Sequence, residues 1–463
     1  MLTYNLENRG GLARYDYLYR CIKEDILKGR LVQGEKMPSK RSLASHLETA
    51  VVTVENAYAQ LLAEGYIFSE EKKGYYVGAV EKVNDAGEEQ LKEKTEKKEE
   101  HRRWLLDLKS SGAGTEGFPF SVWARLMRKV LTDQGEQLLQ PIPHNGVYEL
   151  RYAIARHLYR FRGIVVQPEQ IVVGSGTEYF YNLIVQLLGR DVVYGLEDPG
   201  YSKASKVYHL NNVSCIYLPV DSKGIDPDQV RETDVQVLHI SPNHQFPTGA
   251  VMPVGRRQSL LRWADEKPER YIIEDDYDSE FRFTGRPIPN ISSIRGGEKV
   301  IYMNTFSRSL APSLRISYMV LPQSLLTRYK ERLGFYSCTV PAIEQYTLAK
   351  FLEDGHFDSH VNRMRVYYRN RRDKVLEWVE KSKLRKHCRV LGADAGLHFL
   401  LELKTEKSDH LLGVQAEKLG IRLSFVSEYQ KNDRKDTHTL VINYPGVDLE
   451  YLEPAFKVLE SLL

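Results

Sequence analysis

The sequence predicts an α/β protein in two parts. A small helical domain closed by a hairpin comes first. A large, doubly wound, mostly parallel sheet follows and ends in a smaller α+β subdomain. Three observations predict this. The chain has 463 residues, too many for one hydrophobic core. A segment of dense mixed charge divides about 80 residues from about 360. Beyond it, short apolar runs alternate with helical periodicity, the pattern of strands and crossover helices.

Residues 14–29 place Tyr15, Leu18, Ile22, Ile26 and Leu27 on one helical stripe, and Gly29 closes that helix. Pro38 and Ser39 begin a second helix, with Leu43, Ala44 and Leu47 inward. A third runs from about Thr53 to Glu64, with Val54, Ala57, Tyr58, Leu61 and Leu62 inward and Gly65 at its end. Residues 66–68 and 74–77 read as a hairpin around a charged turn, 70–73. Residues 81–103 hold eight acidic and seven basic residues against three apolar ones. Such a segment cannot offset its ordering entropy and reads as a linker. The expected domains are therefore 1–80 and 104–463, joined by 81–103, with the smaller subdomain from about 385. In the large part, helices are expected near 121–133, 148–161, 177–189, 255–265, 322–334 and 341–381. Strands are expected at 171–173, 192–194, 237–240, 271–273 and 300–303, and near 396–403 and 438–443 in the subdomain.

Hydrophobic residues at 42% and charged residues at 27% describe an ordinary soluble mix. No apolar run nears the roughly 18 residues a membrane span needs. The N-terminus lacks the basic-then-apolar order of a secretory signal, so no membrane and a cytoplasmic setting are expected. Cys21, Cys215, Cys338 and Cys388 are scattered without CxxC spacing, which argues against a disulfide framework and a zinc site; no metal is expected. The net charge of +3 is too small to declare a nucleic-acid binder. Residues 9–41, however, carry nine Lys/Arg against four Asp/Glu.

Three short helices and a basic hairpin form a winged helix-turn-helix. The third helix suits a major groove, and the hairpin can reach an adjacent groove or phosphates. Ser39, Lys40, Arg41, Thr53, Asn56, Lys72 and Lys73 are the candidate DNA contacts, the four cations for phosphate. Pro38, Ser39, Arg41, Leu43-Ala44, Leu47, Thr53-Val54, Ala57-Tyr58, Leu61, Glu64-Gly65-Tyr66, Gly74 and Val77 stand at matching positions in the GntR family of winged-helix regulators, which residues 12–78 resemble. One pair departs: Ala50-Val51 stand where that family has Ser-Arg. Alanine forgoes the N-cap hydroxyl, a cost of about 1 kcal/mol. Val51 lacks a cation that would face DNA.

In the large part, Ser175-Gly176-Thr177 follows an apolar strand and opens a helix, where amides and dipole suit a phosphate. Tyr201, in EDPGY, offers a ring for stacking. Asp275 and Tyr277 follow the strand YII; Asp275 would meet a ring nitrogen and Tyr277 a phenolic oxygen. Thr305 and Arg315 would add phosphate contacts. These are the parts a pyridoxal 5'-phosphate site needs. The strings GSGTEYF, EDPGYSKA, SPNHQFPTG, IIEDDYDSEFRF and NTFSRSLAPSLRISYMVLP resemble fold-type-I, pyridoxal-phosphate-dependent aminotransferases. They are most similar to the MocR-type, GabR-like regulators, in which a GntR domain precedes such a domain. The similarity runs over about 105–450. It implies pyridoxal phosphate, an amino-acid-like effector, double-stranded DNA as partner and a homodimer. It also places His244-Gln245 near the cofactor's phenolic oxygen.

Two departures bear on chemistry. Arg308 stands where the family carries its Schiff-base lysine. A guanidinium stays protonated and is no primary amine, so no internal aldimine and no catalytic residue are expected. Val441 stands where aminotransferases present a late-strand arginine to the substrate carboxylate. Lys203, two residues past Tyr201, and Arg422, in LGIRLSF, are the candidate effector contacts. Three readings remain: a regulator that senses a small molecule, a working aminotransferase, or a regulator whose large domain has lost the cofactor and only dimerises. Arg308 weighs against the second.

Overall fold

The computed structural model describes residues 2–80, 104–109, 117–283, 288–294, 297–432 and 434–463; the expected linker, 81–103, lies outside them. The chain forms two compact units, 1–102 and 103–463.

The first unit holds α1 (Arg14–Leu27), α2 (Lys40–His46), α3 (Val51–Ala63), β1 (Ile67–Glu70) and β2 (Gly74–Val77). Leu18, Tyr19, Ile22 and Ile26 bury the inner face of α1. Tyr15, expected on that stripe, is exposed because it sits in the first turn, beyond the core. Val54, Ala57, Tyr58 and Leu61 bury α3 against it. Ser39 caps α2, its hydroxyl accepting from the Ser42 amide at 3.2 Å. Ala50, at the N-cap of α3, makes no side-chain cap bond. The strands pair antiparallel from Ile67 opposite Val77 to Glu70 opposite Gly74.

The second unit begins with β3 (Leu106–Asp107), α4 (Phe120–Gln134) and α5 (Tyr148–Arg162). Then come β4 (Ile171–Gly174), α6 (Thr177–Leu188), β5 (Tyr194–Asp198), α7 (Ser202–Leu210), β6 (Cys215–Asp221), β7 (Gly224–Ile225) and α8 (Pro227–Arg231). Next are β8 (Val237–Ile240), α9 (Val254–Asp265), β9 (Tyr271–Asp276), β10 (Val300–Thr305), α10 (Phe306–Ser309), β11 (Ser317–Val320) and α11 (Gln323–Leu333). The chain continues with α12 (Ala342–Glu353), α13 (His356–Lys381), β12 (Cys388–Leu391), β13 (Phe399–Leu403), α14 (Asp409–Lys418), β14 (Ile421–Arg422), β15 (Thr439–Ile442) and α15 (Leu452–Leu462). Eight strands form one sheet in the order β4-β11-β10-β9-β8-β5-β6-β7. The neighbours from β10 through β9, β8 and β5 to β6 are parallel, and β11 runs against both of its partners. Both faces of this sheet are covered, so its central strands are apolar along most of their length and turn polar only at their carboxyl ends. Tyr302 and Val173 pack under α4, α5 and α12. Ile301, Met303 and Val172 pack under α6, α7 and α11. The C-terminal subdomain wraps β12-β13-β15 with α13, α14 and α15.

Two expectations shift. The strand expected at 192–194 is β5, Tyr194–Asp198. Its charged end, Glu197-Asp198, hides it from an apolar pattern although Asp198 is buried. The helix expected over 341–381 is two helices, broken where Gly355 takes φ +74°. No helix among the described residues is long and apolar enough to cross a membrane.

Candidate functional site

In the first unit, α3 presents an open N-terminal turn. Val51 and Val52 are 42% and 62% exposed, Asn56 is exposed and Thr53 half-buried. Lys40 donates to Glu55 at 2.7 Å and lies over the Tyr75 ring. Lys73 pairs with Glu70 at 3.0 Å. Such surface pairs are weak and easily exchanged for a phosphate. Arg41 and Lys72 are exposed and have no ion pair among the described residues. Lys72 takes φ +61° at the hairpin tip.

In the second unit, the carboxyl ends of the parallel strands surround a cavity of about 380 Å³, within the usual range for a small-molecule site. Each wall comes from a different strand end. β4 leads into Gly176 and Thr177 at the start of α6; β9 delivers Asp275 and Tyr277, and β10 delivers Thr305 and then Arg308 on α10. Tyr201 and Lys203 stand at the head of α7. The far wall is Phe246, Leu397, His398, Tyr429, Val441 and Asn443.

The floor is Asp275, 7% exposed. Its Oδ2 accepts from the Tyr181 hydroxyl at 2.9 Å and lies 3.5 Å from His239 Nε2. Its Oδ1 is buried and has no hydrogen-bond partner among the described residues. At the head of α6, Gly176 takes φ +96°, and a Cβ there would run into the Arg315 guanidinium. Arg315 donates to the Ser175 carbonyl at 3.3 Å and to Glu178 at 3.1 Å. Lys203 lies 3.5 Å from the other oxygen of Glu178. Burial opposes ionisation of Glu178, but its own backbone bond, Arg315 and Lys203 outweigh it and hold that carboxyl below its usual range. Arg308 projects its charge onto Tyr201, Tyr277, Tyr368 and His398. Burial raises the Tyr201 hydroxyl to about 12 and keeps the His398 ring uncharged, its tendency to protonate pushed well below the usual range.

The string EDDYDSE behind this floor buries five carboxylates, each bonded to another segment. Glu274 accepts from the Ile291 and Ser292 amides, both at 2.9 Å. Asp276 accepts from the Tyr302 hydroxyl and from Asn243, both at 2.8 Å, with Arg162 at 3.6 Å. Asp278 holds His244 Nδ1 at 2.8 Å. Glu280 accepts from Asn304 at 3.3 Å.

The structure thus brings together Gly176, Thr177, Tyr201, Lys203, Asp275, Tyr277, Thr305, Arg308 and Arg315. Three expected residues stand otherwise. The Ser175 amide already donates to Thr339 at 2.9 Å and the Gly176 amide to the Gly174 carbonyl at 3.1 Å, leaving the Thr177 amide, in the first turn of α6, as the cradle. Gln245 is buried in its own loop, donating to the Pro199 and Phe246 carbonyls and accepting from Thr248, so it builds the wall from behind. Arg422 lies outside the cavity, paired with Asp107 at 3.2 Å. Tyr277 donates to the His244 carbonyl at 2.9 Å. Thr305 caps α10, accepting from the Ser307 amide at 3.1 Å. Sequence reasoning missed Glu178, Phe246, His398 and Tyr429. Glu178 and Phe246 carried a signal, since they lie inside the strings GSGTEYF and SPNHQFPTG; His398 and Tyr429 carried none.

Residues 110–459 match the family described as aminotransferase class I and II, and residues 14–77 match the bacterial regulatory proteins of the gntR family. The HTH-type transcriptional regulator YdeL of Bacillus subtilis is 38% identical over 451 residues, 96% of this chain and 96% of the relative. The HTH-type pyridoxine biosynthesis transcriptional regulator PdxR of Corynebacterium glutamicum is 29% identical over 411 residues, 88% of this chain and 87% of the relative. The kynurenine aminotransferase of Pyrococcus horikoshii shares the fold at a TM-score of 0.70 and 23% identity, over 85% of this chain and 96% of its own. The chain therefore belongs to the aminotransferase class I and II family, among the HTH-type transcriptional regulators that carry a gntR domain ahead of the aminotransferase-like unit.

Proposed function

We propose that this regulator binds DNA through α3 and the hairpin, and that its larger unit holds pyridoxal 5'-phosphate, an amino-acid-like effector, or both, without catalysing transamination. It works as a cytoplasmic homodimer, since one winged helix reads only one half-site. The observation that carries the ligand assignment is Asp275. A buried carboxylate oxygen with no partner at the floor of a small-molecule cavity asks for a buried cationic donor, and a protonated pyridine nitrogen is one.

The surrounding residues fit that group. Gly176 leaves room for an approaching phosphate, and the Thr177 amide lies in the first turn of α6, at a helix N-terminus. Arg315 supplies a planar cation for the phosphate. Tyr201 offers its ring, and Tyr277 and Thr305 stand beside the cavity. When bound, the group supplies an electron-withdrawing ring and an aldehyde reactive toward primary amines. Arg308 offers neither a nucleophilic amine nor a base to move a proton, so the chain itself completes no transfer. Its fork suits a carboxylate on an amino-acid-like ligand, and Lys203 stands at the same mouth. The test is absorbance titration of the purified chain with pyridoxal phosphate. A saturable visible change, with no turnover of amino acid and 2-oxo acid pairs, is expected. No change at millimolar concentration would refute the ligand assignment, and turnover would refute the absence of catalysis.

A further inference from the structure

Resting on that reading, we infer that pyridoxal phosphate is an exchangeable ligand of this chain rather than a resident group, so that pocket occupancy reports its free concentration and the compound is itself the signal. Two independent features carry this.

The first is the lack of a tether. Arg308 lies in the same cavity as Asp275, Tyr201 and Thr177. No covalent bond to a guanidinium holds the aldehyde, because the group stays protonated. Among the described residues, two lysines line the cavity, and both face carboxylates. Lys109 pairs with Glu428 at 3.0 Å, and Lys203 lies 3.5 Å from Glu178. Neither stands at the strand end that delivers residue 308.

The second is an internal competitor. Glu178 takes both cations at the cradle, Arg315 at 3.1 Å and Lys203 at 3.5 Å. A phosphate that takes Arg315 displaces Glu178 or stands beside its negative charge. Either way, part of the phosphate's attraction is spent on separating an existing pair, which weakens binding and shortens residence. A site built for permanent retention has no use for that carboxylate. A site that must fill and empty over a concentration range does.

The experiment uses the full chain and pyridoxal phosphate alone, with no amino acid added. Binding is followed by absorbance, release by exhaustive dialysis, and DNA affinity on a duplex selected from a random library by the same protein. Expected are saturable binding, complete loss on dialysis, and DNA affinity that changes at least about fivefold with occupancy. Glu178→Gln should bind more tightly and release more slowly. Arg308→Lys should keep the ligand through dialysis and, after borohydride, carry it on residue 308 in peptide mapping. Three results would overturn the inference while leaving the ligand assignment intact: retention through dialysis by the unaltered chain, DNA affinity indifferent to occupancy, or a DNA response that requires an added amino acid. Failure of both the unaltered chain and Arg308→Lys to bind at millimolar concentration, with unchanged melting temperatures, would overturn the ligand assignment as well.

Discussion

Replacing Asp275 with Asn separates a binding role from a structural one. The Oδ2 of Asp275 is satisfied by the Tyr181 hydroxyl at 2.9 Å, and an Asn carbonyl oxygen keeps that bond. The Oδ1, buried and unpartnered among the described residues, becomes an amide. The protein then loses a buried charge that it solvates poorly, so the ligand-free fold should hold its melting temperature or gain. The ligand loses a charge-assisted bond of roughly 1.5–3 kcal/mol. That corresponds to a Kd for pyridoxal phosphate raised roughly 10- to 150-fold. Equilibrium titration and thermal melts on one preparation give both numbers. The reasoning fails if Asp275→Asn melts several degrees lower yet binds as before, for Asp275 would then be holding the sheet end together and nothing more.

Three further outcomes are expected. Arg41→Ala should weaken DNA binding and flatten its log–log salt dependence by about 0.9, the share of one phosphate, whereas Val51→Arg should tighten binding; an unchanged slope would move the docking face elsewhere. Burial raises the Glu197 carboxyl to about 8. The native state therefore binds more protons than the unfolded chain between about pH 4.5 and 8. Its contribution is full below that window and is lost as pH rises through it, at no more than about 1.4 kcal/mol per pH unit. Melts from pH 5 to 8.5 should show that fall, Glu197→Gln should flatten it, and identical profiles would disprove the assignment. At Gly396, φ is +72° and a Cβ would overlap the His244 ring. Gly396→Ala should destabilise the larger unit by roughly 2–5 kcal/mol, combining left-handed backbone strain and overpacking, and a melt within a degree of the parent would contradict the crowding.

The fold was legible where a residue's environment matched its type. Ile171, Val172 and Val173, or Val237 through Ile240, are buried on both faces and read as strands at once. β5 was displaced because Glu197 and Asp198 are polar residues at the sheet's end, whereas β6 hid because it is largely half-buried and its exposed Pro219 and Asp221 break the apolar run. The site was legible where the strand ends carry it, at 275–277, 305–308 and 176–177. The far wall was not. His398 lines the same cavity as Tyr277 across more than a hundred residues of chain, and no local spacing records such a meeting. Gln245 and Arg422 show the reverse: each has the right chemistry near the right string, but Gln245 bonds to its own loop and to Pro199, and Arg422 pairs with Asp107.

The five buried acids of EDDYDSE carry a lesson for recognising relatives. Four of them answer to partners elsewhere in the scaffold: amides after Asn290, the Tyr302 hydroxyl, His244 and Asn304. Changing any one strands a group on another segment, so this stretch is pinned by wiring whatever the cavity holds. A descendant that abandoned its small molecule altogether would still display nearly the whole string. Scanning genomes for that string therefore finds the chassis. Which passenger it carries, and whether the passenger can leave, is written at a few positions on the cavity wall, 178, 275 and 308 among them.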